Sequence, residues 1–406
     1  MRSDLLKLCL FSVLCLSLAA TAGSASKKRR AWITIGDAAF QKVQMVAPDA
    51  VSVGSRQVRA AGLSEKVHAV VLDESRLLAV TGAIHQQMGQ CGGFMYHASE
   101  AEARAALEAR RVALPTPAYA IDQRDVVVPM LAGMQEQHIA STILSLSGFT
   151  NRYYASQSGV DAANWLLAAW RELAADRADI SVALVTHKAY PQPSVSLTIA
   201  GTDLADEKVV VGAHLDSILS FRMSATARAP GADDDASGVA SMTEALRALI
   251  ASGYRPRRTI QVFAYAAEEV GLRGSQEIAR GFKQAGQKVA GVLQLDMTNY
   301  KGAANDIYLI TDYTSSAQNT FVAQLAAAYL PELTVGNDRC GYGCSDHASW
   351  DAQGYPVSMP FESSMARDNP AIHTLRDTYE NSGGQAAHAL KFARLAAAFM
   401  VELSGG

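Results

Sequence analysis

Residues 231–238 read GADDDASG, in which three consecutive carboxylates are followed by small residues and a run of helical character. Adjacent aspartates repel one another and are costly to bury without partners, so a solvated acidic loop is one interpretation. The flanks favour another, because an apolar run ending in His214 precedes the stretch and one ending in Glu268 and Glu269 follows it. Carboxylates and imidazoles gathered at strand ends bind divalent cations, so the stretch is predicted to lie at the centre of a metal site.

Outward from this stretch, apolar runs of strand length alternate with amphipathic runs of helix length. Strands are predicted at residues 194–201, 208–213, 259–266, 289–295 and 306–311, and helices at residues 139–146, 159–175, 237–251, 272–285, 316–330 and 385–403. Continuous apolar strands that alternate with helices indicate an α/β fold, with a mostly parallel mixed sheet sandwiched by helices. Ligands bind at the carboxyl ends of the strands in such sheets, which is where the acids and imidazoles fall.

The first 25 residues have the layout of a secretory signal peptide. Arg2 and Lys7 stand at the start, residues 8–18 are mostly apolar, and Ala20 and Ala22 offer a cleavage site of small residues. A buried N-terminal helix is the alternative interpretation. The apolar run is too short to span a bilayer and no later stretch is a membrane anchor, so the sequence predicts a secreted protein.

Residues 26–125 are predicted to form a separate small α+β unit, with an amphipathic helix at residues 100–113. Such a unit between a signal peptide and an enzyme-like region is typical of a removable pro-segment, and a stable accessory domain is the alternative. Residues 126–406 are then the catalytic domain. A net charge of -3, with 49% hydrophobic and 18% charged residues, describes a globular protein without general attraction to nucleic acid or anionic membranes.

Acids and imidazoles lie at or just beyond the predicted strand ends. The candidate residues are His214, Asp216, Asp234, Glu268, Glu269, Asp296 and His373. Two zinc ions roughly 3.5–4 Å apart that share a bridging carboxylate can acidify a water and polarise a carbonyl. A carboxylate that lies beside the ions without binding them can act as general base. Of the adjacent Glu268 and Glu269, one is therefore expected to bind metal and the other to act as the base. The residues alone do not distinguish Asp234 from Asp233 or Asp235 as the bridge.

The sequence holds five cysteines, of which Cys9 and Cys15 leave with the predicted signal peptide. Cys340 and Cys344 lie four positions apart in CGYGC, and in an exported protein a disulfide is expected for them rather than a metal knuckle. Cys91 is interpreted as a small buried residue, with a thiolate that blocks the metals as the alternative.

Six motifs together resemble the secreted bacterial leucyl aminopeptidases of the M28 metallopeptidase family, from residue 135 to the C-terminus. They are GAHLDS, PGADDDASG, YAAEEVGLRGS, QLDMTNYKG, CGYGCSDHASW and NPAIHT. The resemblance implies a monomeric enzyme that removes the first residue of peptides with two Zn²⁺ ions. The implied ligands are His214 and Asp296 for one ion, Glu269 and His373 for the other, and Asp234 as the bridge.

The resemblance also assigns tasks to neighbouring side chains. Asp216 would orient His214, Glu268 would act as general base, and Tyr342 would stabilise the oxyanion. The leading region resembles the pro-segments of such precursors, less specifically. The chain's own pro-segment, as inhibitor or folding aid, is therefore expected to be a partner beside the peptide substrates.

The specificity pocket is expected to be apolar and to favour a bulky apolar first residue such as leucine. Its expected lining is Met297, Ile310, Cys344, Phe361, Met365 and Ile372. Met365 and Asp368 stand where the family pattern has aromatic residues. A flexible methionine is expected to widen the range of accepted side chains, and Asp368 to admit some basic first residues.

Three rival functions remain open. A glutaminyl cyclase of the same fold would use one metal, whereas all five ligands are present here. An M20-type carboxypeptidase or deacylase would insert a lid domain, for which the chain between Glu269 and Asp296 is too short. A non-catalytic binding ectodomain would have lost ligands.

Overall fold

The computed structural model describes residues 29–60, 63–89, 92–109, 114 and 118–405. The predicted signal peptide and Cys91 lie outside these ranges. The described chain forms an N-terminal α+β unit followed by an α/β domain. Among the helices within these ranges, none is long and apolar enough to cross a bilayer.

The N-terminal unit is an antiparallel sheet with helices packed against it. Its elements are β1 (Arg30–Gly36), α1 (Asp37–Val46), β2 (Val51–Ala60), β3 (Leu63–Asp73), α2 (Leu77–Met88), β4 (Phe94–His97) and α3 (Glu100–Glu108). The strand order is β2-β3-β1-β4, and the unit has a hydrophobic core of its own that includes Ile33, Phe40 and Ile84. Helix α3 ends at Glu108, earlier than predicted, and residues 110–113 lie outside the described ranges.

The α/β domain alternates strands and helices along the chain. Its strands are β5 (Ile180–Val185), β6 (Ser194–Ile199), β7 (Leu204–His214), β8 (Arg258–Tyr265), β9 (Lys288–Gln294), β10 (Ile307–Ile310), β11 (Val335–Asp338), β12 (Val357–Ser358) and β13 (Pro360–Phe361). Its helices are α4 (Arg124–Ala132), α5 (Glu136–Gly148), α6 (Gln157–Ala174), α7 (Ala236–Ala251), α8 (Arg273–Gln284), α9 (Ser316–Tyr329), α10 (His347–Ala352) and α11 (Ala387–Gly405).

The main sheet has the strand order β12-β9-β7-β8-β6-β5. Strands β12, β9, β7 and β8 run parallel, and β6 and β5 add antiparallel pairs at one side. Val209 and Val211 of β7 lie in the larger core with α5, α7 and α11, whereas Val210 faces α8 and α10, because strand side chains alternate between faces. The predicted α/β sandwich with a mostly parallel mixed sheet is therefore confirmed.

The parallel strands place their carboxyl ends at one edge of the sheet. Strand β7 ends at His214, β8 ends three residues before Glu268, and β9 ends two residues before Asp296. Helix α7 begins directly after Asp235, whose side chain accepts a hydrogen bond from the backbone N–H of Gly238 and so caps the helix. The fold thus gathers the acidic loop and three strand ends at one place.

The N-terminal unit packs on this same edge. The guanidinium of Arg273 in α8 lies 4.0 Å from the ring centre of Tyr96 and 3.5 Å from the carboxylate of Glu74. The backbone N–H of Tyr96 donates to the carbonyl of Gly271 at 2.9 Å. These contacts hold the unit against the loop that follows β8.

Acid should weaken the N-terminal unit through His97, whose Nε2 lies 2.8 Å from Oγ1 of Thr34. Burial, assisted by the charge of Arg280, lowers the pKa of His97 from 6.5 to about 4. Below pH 6.5 the unfolded chain binds a proton that the folded unit excludes, so stabilisation present above that pH is lost toward pH 4. We expect the titration of His97 to lower the free energy of unfolding by about 3 kcal/mol over this interval.

Hydrogen exchange of the β1 and β4 amides at a series of pH values measures this loss. The His97→Gln variant carries no titrating group at the position, so its stability should depend on pH less steeply than that of the wild type by about 3 kcal/mol over the interval. Identical pH dependence in the two proteins would contradict the role given to His97.

Candidate metal centre

The structure brings all of the predicted ligands together. They are His214 at the end of β7, Asp234 before α7, Glu269 after β8, Asp296 after β9 and His373 before α11. None of these residues is more than 4% exposed. The donor atoms of these residues, together with those of Asp235, form two groups whose atoms lie within 4.8 Å of one another. One group is His214, Asp235 and Asp296, and the other is Asp234, Glu269 and His373.

Asp234 stands between the two groups. Its Oδ1 lies 2.9 Å from Nε2 of His214, and its Oδ2 lies 3.0 Å from Nε2 of His373. Each oxygen of one carboxylate therefore faces a different imidazole, which is the arrangement that a carboxylate shared by two ions needs.

The carboxylate oxygens of the neighbouring aspartates accept hydrogen bonds from other groups. The carboxylate of Asp235 accepts hydrogen bonds from the backbone N–H groups of His214, Gly238 and Met297 at 3.0, 2.9 and 3.1 Å. Asp233 accepts from the backbone of Asn299 and the side chain of Asn369. The hydrogen-bond partners of the three aspartates therefore differ, although the sequence alone did not show which of them could bridge two ions. The peptide bond between Asp234 and Asp235 is cis.

Several carboxylate oxygens of the centre are buried and find no hydrogen-bond donor among the described residues. They are Oε1 of Glu268, Oε1 of Glu269 and Oδ1 of Asp296, whereas Oε2 of Glu269 lies 2.8 Å from Nε2 of His373. Such acceptors are costly to bury without a partner. Their convergence with two imidazoles provides the nitrogen and oxygen donors that zinc prefers, so the residues fit a zinc centre.

Burial raises the pKa of Glu268 well above its ordinary value. His214 opposes this shift, whereas the charges of Asp346 and Glu269 add to it. A cation bound beside the carboxyl would favour its ionised form. The affinity of Glu268 for a proton would therefore depend on whether a cation occupies the centre.

Asp216 fixes both the imidazole of His214 and the backbone that carries the two glutamates. Its carboxylate accepts from the N–H groups of Glu268 at 2.9 Å and Glu269 at 3.2 Å. Nδ1 of His214 lies 3.1 Å from the carbonyl oxygen of Asp216 and 3.6 Å from its carboxylate. The shorter contact to the imidazole is therefore made by the carbonyl, whereas the resemblance implies the acid.

The backbone is strained at three positions of the centre. Ala267, Met297 and His373 have φ values of 58°, 59° and 54°, in the left-handed region that residues with a β-carbon rarely adopt. Ala267 precedes Glu268 and Met297 follows Asp296. Strain of this kind costs about 1–3 kcal/mol per residue and clusters at functional sites, where the surrounding structure holds it in place.

Arg152, which the sequence analysis did not identify, is fully buried behind the aspartate loop. Its guanidinium donates to the carbonyls of Leu215, Pro230 and Gly231 at 2.7, 2.6 and 2.7 Å. Burial lowers the pKa of Arg152, and four nearby aspartates oppose that shift. The residue ties the end of β7 to the aspartate loop. An arginine inside the otherwise uncharged stretch GFTNRYYASQSG was its only signal in the sequence.

The residues predicted to line the pocket cluster beside the metal centre. Met297, Ile310, Cys344, Phe361 and Ile372 are buried together, and Met365 packs against them. A cavity of about 10 Å³ lies among these side chains next to Asp296, with room for little more than a water molecule. Cys340 and Cys344 form a disulfide with their Cα atoms 5.9 Å apart.

The side chain of Tyr342 makes a hydrogen bond to the N-terminal unit. Its hydroxyl donates to Oγ1 of Thr34 in β1 at 2.7 Å, and burial raises its pKa to about 12. His85 of α2 also reaches the centre, with its ring centre 4.9 Å from that of His373, and burial lowers its pKa to about 4. Neither Thr34 nor His85 was predicted from the sequence.

Comparison with known proteins identifies the family to which the chain belongs. Residues 194–400 match the model of peptidase family M28. Leucine aminopeptidase 1 of Arthroderma otae is 39% identical over 310 residues, which cover 72% of this chain and 81% of the relative. A probable leucine aminopeptidase of the same organism is 37% identical over 282 residues, which cover 68% of this chain and 76% of that relative.

Solved structures extend the similarity to the N-terminal unit. The LapA aminopeptidase of Legionella pneumophila matches with a TM-score of 0.79 at 30% identity, over 93% of this chain and 99% of that chain. A glutaminyl cyclase of Porphyromonas gingivalis shares the fold, with a TM-score of 0.52 at 19% identity over 66% of this chain and 97% of that chain. From the family match and the identity to its relatives, the chain belongs to peptidase family M28 and is a metallo-aminopeptidase.

Proposed function

We propose that this metallo-aminopeptidase uses two zinc ions to hydrolyse the N-terminal peptide bond of peptides with a bulky apolar first residue such as leucine. The observation that carries the proposal is Asp234, whose two oxygens face His214 and His373 at 2.9 and 3.0 Å. The apolar cluster beside Asp296 and the names of the leucine aminopeptidase relatives support the preference for leucine.

In this proposal His214 and Asp296 hold one ion, Glu269 and His373 hold the other, and Asp234 holds both. Ser345 donates to Oδ2 of Asp296 at 2.5 Å, so that Oδ1 is the oxygen available to an ion. When bound, a zinc pair supplies Lewis acidity toward the peptide carbonyl and lowers the pKa of a water.

The chain's own residues then move the protons. Glu268 accepts a proton from the attacking water at its unpartnered Oε1 and delivers it to the leaving amine. Asp216 holds the backbone N–H groups of Glu268 and Glu269, so base and ligand keep a fixed separation. Tyr342 donates to the developing oxyanion, for which its hydroxyl must first leave Thr34.

The N-terminal unit is proposed to be a pro-segment that keeps the secreted enzyme latent until it is removed. Its Thr34 accepts a hydrogen bond from the hydroxyl of Tyr342, and Oγ1 of its Thr81 donates to the carbonyl of Glu269 at 2.8 Å. Both contacts tie the unit to residues to which the proposal gives a role in the centre. The secretory layout of residues 1–25 supports export of the precursor.

Hydrolysis of leucine p-nitroanilide by the processed protein, with and without a chelator, tests the proposed function. We expect two zinc ions per chain, loss of activity with the chelator, recovery with zinc, and slower hydrolysis by the uncleaved protein. Well-folded protein with two zinc ions that releases no p-nitroaniline would overturn the proposal. The cyclase and deacylase substrates would then be assayed.

Asp368 provides a test of the pocket's breadth. The side chain is half-buried near His373, and burial raises its pKa to about 7, so it is mostly ionised at pH 8. A charge-assisted hydrogen bond to a lysine side chain is worth about 1.5–3 kcal/mol, so Asp368→Asn should lower kcat/KM for lysine p-nitroanilide at pH 8 by about 10- to 150-fold. The leucine substrate serves as the control and should be unaffected. Equal effects on both substrates would place Asp368 outside the pocket.

A further inference from the structure

Helix α2 contacts two different parts of the protein with two of its faces. Leu77, Val80 and Ile84 lie in the core of the N-terminal unit. Residues 78, 81, 82 and 85 share the adjacent face, since they follow the spacing of three and four that places helical side chains in one row. This second face lies on the α/β domain at the metal centre.

The contacts along this face lead toward the centre. Leu78 packs against Ala266, Ala267 and Val270 in the loop that follows β8. One turn later, Oγ1 of Thr81 donates to the carbonyl of Glu269 at 2.8 Å. Apolar packing of Leu78 therefore positions one end of the helix, and the hydrogen bond to the loop that carries Glu269 positions its middle.

Gly82 permits the close approach of the helix. A β-carbon at this position would lie 2.6 Å from the carbonyl oxygen of Ser220, a distance that no side chain can occupy. The N–H of Ser220 donates to the carbonyl of His373 at 3.0 Å. The absence of a side chain at Gly82 thus brings α2 against the segment that positions His373.

His85 follows at the end of this row. Its ring centre lies 4.9 Å from that of His373, with the ring planes at 54°. Its Nδ1 is buried and has no hydrogen-bond partner among the described residues. Two imidazoles on one tetrahedral zinc, with nitrogens about 2.0–2.1 Å from the ion, place their ring centres roughly 5 Å apart. The distance between the two ring centres is therefore already that of a shared ion, although the nitrogens of His85 are not yet turned toward the other donors.

We infer that His85 is an additional metal ligand in the uncleaved protein and closes the coordination position that a substrate would need on the ion held by Glu269 and His373. The inference rests on the proposed function. His85 lies outside the group whose donors are within 4.8 Å of one another, so its ring must swing toward the ion to bind it. A pro-segment helix would then block the centre by ligation as well as by its bulk.

Cobalt substitution of the uncleaved protein tests this inference without an activity assay. Wild type would be compared with His85→Ala, with His85→Phe, which keeps a ring but offers no donor, and with Gln86→Ala at an exposed position of the same helix. The measurements are the visible absorption of bound Co²⁺ and the Kd of the more weakly held ion in competition with a chelator.

We expect both His85 variants to shift the cobalt absorption and to raise that Kd by at least about tenfold, since even an outer partner of a ligand is worth that much. Gln86→Ala should match the wild type. Gly82→Val should reproduce the shift by lifting α2 from Ser220, while hydrogen exchange shows the N-terminal core intact. Unchanged spectra and Kd in the His85 variants at equal cobalt content would overturn the inference.

The two proposals fail separately. A processed protein that hydrolyses no amide, beside a cobalt shift in the uncleaved variants, would remove the proposed function and leave His85 as a ligand. An active processed protein with no cobalt shift would remove only the ligand. In that case a latent His85→Phe precursor would show that bulk alone blocks the centre.

Discussion

Replacement of Glu268 by glutamine should lower kcat for leucine p-nitroanilide by about 100- to 10,000-fold, with KM and zinc content nearly unchanged. Oε1 of Glu268 is buried and unpartnered, and Asp216 fixes the backbone that carries it. Glutamine keeps the shape of the side chain but has no basic oxygen to take a proton from water. Steady-state kinetics of the processed variant, with zinc measured on the same preparation, give the result.

Glu332→Gln, at an exposed carboxylate, is the matched control and should behave as the wild type. Loss of zinc from the Glu268 variant would mean that this residue is a ligand and not the base. Retained kcat would assign the base to another group, and Asp346, whose charge acts on Glu268, would be the next carboxylate to replace.

Replacement of Arg152 by methionine should lower the free energy of unfolding by about 3–5 kcal/mol. The change removes the guanidinium donor from three buried carbonyls, of which only that of Gly231 keeps another donor, the backbone N–H of Ala236 at 3.2 Å. It also removes the cation that faces the aspartates of the centre. The aspartate loop should then lose its position, and zinc affinity should fall with stability. Urea unfolding of metal-free protein and chelator competition measure the two effects.

Arg257→Met provides the comparison for this change. Arg257 pairs with Asp203 at 2.7 Å, but the two side chains are 47% and 58% exposed, so the pair should contribute no more than about 1 kcal/mol. Similar losses in the two variants would show that Arg152 stabilises the protein no more than a surface arginine does.

The sequence predicted the parts of the fold whose signal is local. The apolar run of β7 and the acids that follow β8 and β9 placed the centre at the edge of the sheet where the structure has it. Strand β5 was missed, because it pairs only with β6 at the side of the sheet and alternates exposed with half-buried residues. Helix α2, which begins with the apolar residues 77–80, was also not predicted.

The site could be predicted only where residue type and strand position carried the signal. The structure separates Asp234 from its neighbours through partners that lie far away in the chain, such as Asn369, which bonds Asp233. Thr34 and His85 were missed for the same reason, since Tyr342 and His373 lie hundreds of residues from them. The roles of Glu268 and Tyr342 remain predictions, as does that of Cys91.

The hydrophobic core that belongs to the N-terminal unit alone has a consequence for how activity begins. A unit with its own core is expected to stay folded when the chain is cut, and Arg273, Tyr342 and the carbonyl of Glu269 still bind it through contacts that the cut does not touch. Cleavage would only turn an intramolecular contact into a complex of two chains. The two chains are then no longer held at the high effective concentration that the intact linker provides. Activation of the proposed secreted precursor would therefore be a dissociation, timed by dilution.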